Sequence, residues 1–330
     1  PEQVHVSPGG DQLAFTVHGD IWTMPASGGE GRRLTKGKDQ DEWPRFSPDG
    51  RSIAYQSDKG GDSNIWLLDL ETGSKRQLTK HKADDFFHSW SPDGSKLVFS
   101  SERSGNRDIW TLEVDSGRLE QVTRDPAADD DAAFSPDGQW IAFDSGRGGS
   151  QAIYIVAADG GTPRRVTTDP GFPQVPSWSP DGSMLVYESF NPTDSRSGGL
   201  YVISSRGGPS VQLARSGSGA IWSPKGDYIF HTIRRNGSTE IYRTPAPTSI
   251  DLSERVPFSG RIQVDRKTEF GDLFDEAWSR LKEGFYDPKM HGVKWDDMKK
   301  KYRPMAVEAE IKGEFHNVIN QMLAELGASH

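Results

Sequence analysis

The chain has 330 residues and a formal charge of −9, so a phosphate backbone would be repelled on average and nucleic acid is an unsuited partner. Cysteine is absent, which excludes disulfide and thiolate chemistry but leaves the compartment open. No apolar run approaches the roughly 20 residues of a membrane-spanning helix, so no membrane partner is expected.

The sequence starts at Pro1 inside a strand-like pattern, so a natural N-terminus, and any export signal with it, is expected upstream. Glycine (36) and proline (21) are abundant, which fits many turns between short strands. A Ser-Pro-x-Gly anchor recurs at Ser7, Ser47, Ser91, Ser135, Ser179 and Ser223, with spacings of 40 and then 44. Proline presets the second position of a tight turn, and glycine suits the fourth. An alternating strand follows each anchor, as in Ile53-Ala54-Tyr55 and Leu97-Val98-Phe99. A third strand carries an aliphatic–aromatic pair: Ile21-Trp22, Ile65-Trp66, Ile109-Trp110, Ile153-Tyr154, Leu200-Tyr201 and Ile241-Tyr242. A fourth ends at Leu34-Thr35, Leu78-Thr79, Val122-Thr123, Val166-Thr167 and Leu213-Ala214.

Four short strands per ~44 residues make one propeller blade, and blades bury their faces only by stacking around a channel. The predicted fold is therefore mainly β, a β-propeller over residues 1–258 with six visible four-stranded blades. The first strand of the first blade is barely marked, the sixth blade is degraded around Thr244-Pro245-Ala246-Pro247, and a seventh blade upstream is left open.

Residues 259–267 read as a linker, with a strand or extended connector at 260–265. From Thr268 the period becomes helical. Phe270, Leu273, Phe274, Ala277, Leu281 and Phe285 fall on one face, and Asp287-Pro288 ends that helix. A second helix runs from Trp295 to Tyr302, stopped by Pro304. A third runs from about Gly313 to Leu326, with Phe315, Val318, Ile319, Met322, Leu323 and Leu326 inward. The chain ends at Ala328-Ser329-His330, and the last domain, 268–330, reads as unfinished.

Acidic residues recur six positions before the anchor, at Asp41, Asp85 and Asp129. First strands line a propeller's channel, so these carboxylates are candidates for an electrostatic funnel at the channel mouth that draws in cationic peptide segments. The plainer reading is a solvated connecting loop, and Pro173 and Gly217 interrupt the ring in later blades. The histidines share no ligand-like spacing and the acidic run lacks calcium-loop spacing, so neither a metal nor a cofactor is expected. The blade aromatics, at fixed strand positions, read as core.

The repeats resemble TolB-type, WD40-like propellers over about 1–258. The tail resembles the start of the tricorn protease core, related to C-terminal processing peptidases. The motifs are Phe274-Asp275-Glu276-Ala277-Trp278, Phe285-Tyr286-Asp287-Pro288-Lys289-Met290-His291-Gly292-Val293-Lys294-Trp295, Tyr302-Arg303-Pro304 and Glu325-Leu326-Gly327-Ala328-Ser329-His330. That resemblance implies that His330 is the general base of a catalytic tetrad and Ser329 its neighbouring hydroxyl, with the nucleophile downstream. It implies oligopeptide substrates reached through a gating propeller, a homohexamer, and a cytoplasmic setting with export as the alternative. This chain alone, lacking a nucleophile, is expected to be inactive. The competing function is a non-catalytic propeller that binds proteins or peptides. A propeller joined to an α/β-hydrolase is disfavoured, because no G-x-S-x-G elbow occurs.

Overall fold

The computed structural model describes residues 2–168, 171–191, 198–235, 238–246, 254–256, 258–259, 265–284 and 290–326. The chain divides into two compact units, Pro1–Gly260 and Arg261–His330.

Among the described residues of the first unit, six four-stranded antiparallel sheets follow one another along the chain. Blade 1 holds Glu2–Val6, Gln12–Val17, Asp20–Pro25 and Arg32–Arg33. Blade 2 holds Asp41–Phe46, Ser52–Ser57, Asn64–Asp69 and Lys75–Gln77, and blade 3 holds Asp85–Trp90, Lys96–Ser101, Asp108–Glu113 and Leu119–Gln121. Blade 4 is Asp129–Phe134, Trp140–Ser145, Ala152–Ala157 and Arg164–Arg165. Blade 5 is Phe172–Trp178, Met184–Phe190, Gly199–Ser204 and Val211–Ala214. Blade 6 is Ser218–Trp222, Tyr228–Arg235, Ser238–Pro245 and Glu254–Val256. The weakly marked first strand of blade 1 is fully formed, and the altered turn of blade 6 still delivers a fourth strand.

Each anchor closes the hairpin between first and second strands. Its glycine sits at φ of 71–76°, where a side chain is disfavoured. In the four SPDG anchors the serine hydroxyl donates to the aspartate two residues on, as in Ser47 to Asp49 at 2.6 Å. Ser47 Oγ also accepts the Ser52 N–H at 3.0 Å, which locks the turn to the second strand. Blades 1 and 6 lack that aspartate and use one four residues on: Ser7 to Asp11 at 2.9 Å and Ser223 to Asp227 at 2.6 Å. A divergent sequence thus builds the same turn.

Six blades close the ring. Each anchor glycine lies against the proline of the preceding blade: a Cβ on Gly94 would sit 3.6 Å from Pro48. One on Gly10 would sit 3.8 Å from Pro224, so blade 6 packs directly on blade 1. A shared core of Val4, Phe15, Trp22, Phe230 and Ile241 crosses that seam. Phe258–Ser259 adds a parallel strap to Gly29–Glu30 of blade 1. The seam between the sixth and first blades therefore holds no seventh. Within blades, the fourth-strand threonines are buried because each hydroxyl accepts a third-strand N–H at 2.9 Å: Ile21 to Thr35, Ile65 to Thr79, Ile109 to Thr123 and Ile153 to Thr167.

The second unit packs α1 (Arg266–Gly284), α2 (Trp295–Val307) and α3 (Lys312–Ala324), with a 3-10 turn at Met290–Gly292. Its core joins Phe270, Phe274, Trp295, Tyr302, Phe315 and Met322. Trp278 and Trp295 each donate an indole N–H to the other's carbonyl, both at 3.0 Å. Two expectations are corrected. Leu273 is 41% exposed, pointing away from that core. Pro304 does not stop α2, which runs on to Val307. Tyr302 and Ala306, buried on either side of Pro304, hold the last turn helical despite the missing N–H. Phe285 and Asp287-Pro288, invoked for the end of α1, lie outside the described residues, as does the 260–264 connector.

Candidate functional site

Asp41, Asp85 and Asp129 open the first strands of blades 2, 3 and 4 and are 5%, 0% and 0% exposed. Arg103 Nη2 contacts both oxygens of Asp85, at 2.6 and 2.8 Å. Arg147 Nη2 reaches Asp129 at 2.5 Å. Both guanidiniums lie over blade aromatics, Arg103 over Phe99 and Trp110 and Arg147 over Phe143 and Tyr154, at 5.0–5.4 Å from the ring centroids. Asp41 accepts Ser57 Oγ at 2.6 Å, with Lys75 Nζ at 3.9 Å. Burial pushes the Asp41 and Asp129 carboxyls above their ordinary range, and the serine, threonine and cationic partners pull them back. These three residues carry buried, compensated charge within the ring wall, not a rim of free carboxylates.

A different set of side chains reaches the axis. Every first strand shifts register by a bulge, for example between Glu42 and Arg45 and between Asp130 and Ala133. At the bulge Gln3, Trp43, Asp131 and Val175 adopt φ of 52–55°, and Gly219 takes 60°. Such backbone is strained for a non-glycine residue, most of all β-branched Val175, and strain of this kind concentrates at functional sites. The bulges turn His5, Arg45, His88, Asp131, Val175 and Ser177 onto a central cavity of about 80 Å³.

The cavity is electrostatically divided. Blades 1 to 3 contribute His5, Arg45 and His88. Arg45 Nη1 donates to the Pro44 carbonyl at 3.1 Å and the guanidinium lies 5.7 Å from the Trp43 ring. Burial lowers it to about 10, and Asp131 acts in the other direction. His88 is 1% exposed, and neither ring nitrogen has a hydrogen bond of good geometry. Burial first, and Arg45 second, bring it down to about 3, against a weak opposite pull from the Ala54 backbone. His5 is pushed well below the imidazole range by burial, Arg45 and His88. Its Nδ1 accepts the Phe46 N–H at 3.2 Å, which puts the proton on Nε2.

Blade 4 contributes the carboxyl of Asp131, and Asp144 and Glu188 act on the same region. Asp131 is raised to about 7 by burial and by Asp130, while Asp144, Arg45 and the Val175 N–H oppose. Asp144 is raised well above the carboxylate range by burial and by Asp131. Ionised carboxylates only accept, and Asp131 Oδ1 and Asp144 Oδ1 have no donor, so a proton shared between the two relieves the shortage. Glu188 is raised to about 7 by burial and then Asp131. Asp130 is held by Arg107 at 3.0 Å.

The axial residues were missed in sequence, although a signal existed. Four, three and two residues before the anchor serines, where scaffold positions would repeat, the blades read Gln3-Val4-His5, Trp43-Pro44-Arg45, Phe87-His88-Ser89, Asp131-Ala132-Ala133, Val175-Pro176-Ser177 and Gly219-Ala220-Ile221. Ser329 and His330 lie outside the described residues. Among the described residues no group of three His, Asp or Glu side chains is placed to hold a metal, and no helix is long and apolar enough to cross a membrane.

The ring is a TolB-type propeller: the TolB beta propeller domain matches residues 61–197. A putative TolB from Agrobacterium tumefaciens is 27% identical, with a TM-score of 0.63 over 75% of this chain and 90% of that one. The tricorn protease N-terminal beta propeller domain matches residues 2–107, and the tricorn protease C1 domain matches 266–324. On these matches, one in each unit, the chain is recognised as a member of the tricorn protease family. A putative tricorn protease homolog 2 from Streptomyces coelicolor is 35% identical over 68 residues, which is 21% of this chain and 6% of that relative. The tricorn protease crystal structure shares the fold, with a TM-score of 0.60 at 16% identity, covering 100% of this chain and 42% of that chain.

Proposed function

We propose that the chain supplies the propeller and the first protease-core segment of a tricorn-type serine peptidase acting on oligopeptides. The observation that supports this reading is the C1 match at 266–324, which ends five residues before the Ser329-His330 pair. In this reading His330 takes the proton from a serine nucleophile lying beyond residue 330 and returns it to the leaving amine. Ser329 helps to orient that imidazole. The propeller acts as the gate through which peptides enter, and the narrow polar cavity on its axis selects among them. The assembly is a homohexamer in the cytoplasm, with export as the alternative. A second reading, a protein- or peptide-binding propeller without catalysis, draws support from the TolB likeness of the ring.

The two readings separate in a protein that continues past residue 330. His330→Ala is expected to lower kcat for oligopeptide cleavage by about 10⁴-fold or more, and Ser329→Ala by less. The 330-residue chain by itself is expected to show no turnover. Peptidase activity indifferent to His330 would leave only the binding propeller.

A further inference from the structure

We propose that the axial cavity of the propeller is a binding site for one compact oxyanion, a carboxylate or phosphate group, held by Arg45, His5 and His88. The proposal is independent of the peptidase reading.

Three features carry it. Arg45 faces the cavity with no carboxylate in salt-bridge reach among the described residues; its contacts are the Pro44 carbonyl and the Trp43 ring. Arg45 is half-buried, and a cation partly withdrawn from water without an ion pair is stabilised by an anion in the cavity. His88 lines the same cavity, 1% exposed, with neither ring nitrogen in a hydrogen bond of good geometry and only the Ala54 backbone acting on it. Buried polar groups are nearly always bonded, so the ring nitrogen turned away from Ala54 points to a ligand or water in the cavity. His5 Nε2–H supplies a further donor, because Nδ1 is already occupied by Phe46. The cavity, of about 80 Å³, has room for a small group.

The opposite wall sets a pH dependence. An anion beside Arg45 also faces Asp131, and repulsion favours a protonated Asp131 carboxyl, which then donates a hydrogen bond to the anion. The groups facing Asp131 are Asp144 and Asp130 from its own blade, Arg45 from blade 2, and Glu188 and the Val175 N–H from blade 5. Asp130 is already paired with Arg107. Anion binding and proton uptake at the Asp131–Asp144 pair are therefore linked, and binding tightens as pH falls.

The test titrates the full 330-residue chain with inorganic phosphate, with acetate and with methylammonium, at constant ionic strength, following the imidazole resonances of His5 and His88 by NMR. A saturable response to phosphate, acetate or both is expected, tightening by up to ~10-fold per pH unit between about pH 8 and pH 6. Phosphate alone would assign an inorganic oxyanion, and acetate alone a carboxylate end group. Arg45→Met should weaken binding about tenfold or more. Asp131→Asn, which keeps the shape, should retain binding and abolish its pH dependence, and it decides the matter if Arg45→Met fails to fold. The proposal is overturned if neither anion saturates, if methylammonium alone moves the resonances, or if both variants titrate like the parent.

Discussion

Two sets of buried carboxylates in one propeller meet opposite fates. In the wall, Asp85 and Asp129 are fully buried, and each has an arginine against it, clamped on aromatic faces. On the axis, Asp131 meets Asp144, and Arg45 acts on it only through space, without a salt bridge. The partners differ. A carboxylate with a fitted counterion serves the scaffold, whereas carboxyls left to share a proton are poised to respond to pH and ligands. The wall pairs recur with the blade period, and the axial groups break it.

Breaking the wall should have the largest effect. Asp85→Ala leaves the Arg103 guanidinium buried and unpaired, its side chain only 8% exposed. A loss of about 3–5 kcal/mol is expected in denaturant unfolding. A loss near zero would show that this pair is incidental to the scaffold.

The axis should instead reveal itself in the slope of stability with pH. Asp131 is raised to about 7, so between about pH 4 and 7 the folded chain holds a proton the unfolded chain has lost. Its contribution is therefore greatest at the acid end and disappears as pH rises through about 7. His88 is lowered to about 3, so between about pH 3 and 6.5 the unfolded chain holds the extra proton and stability rises with pH. Asp131→Asn should make the slope between pH ~4.5 and ~6.5 more positive, and His88→Gln more negative. Denaturant melts across that range test both signs; slopes that move together would dissolve the contrast between the two groups.

The smallest effect sharpens the comparison at the backbone. Val175 holds φ of 52° at the bulge where blade 6 has Gly219. Val175→Gly should raise stability by about 1 kcal/mol by releasing strain. A loss of that size would mean that the valine's packing, not its backbone, governs the site.

Much of the fold was legible because it repeats. The anchors marked every hairpin, the aliphatic–aromatic pairs every third strand, and Leu-Thr the threonines that accept third-strand N–H groups. The helical period of α1 to α3 was equally clear, although Leu273 and Pro304 were misjudged: a periodic pattern does not say which edge of a face finds a neighbour, or when packing overrides a proline. The acidic recurrence was seen as a repeat, but its partners Arg103 and Arg147 lie 18 residues on, across the sheet, so spacing alone could not show the charge to be compensated.

The sequence by itself determined the blades, their number within the chain and the helical unit that follows, because turn chemistry and side-chain period are local properties. Only the tertiary structure decided that blade 6 meets blade 1, and that His5, Arg45, His88 and Asp131 converge on one cavity. Those residues come from four blades, and a bulge in each first strand aims them inward. Convergence around an axis depends on ring closure, and closure is a property of all six sheets together.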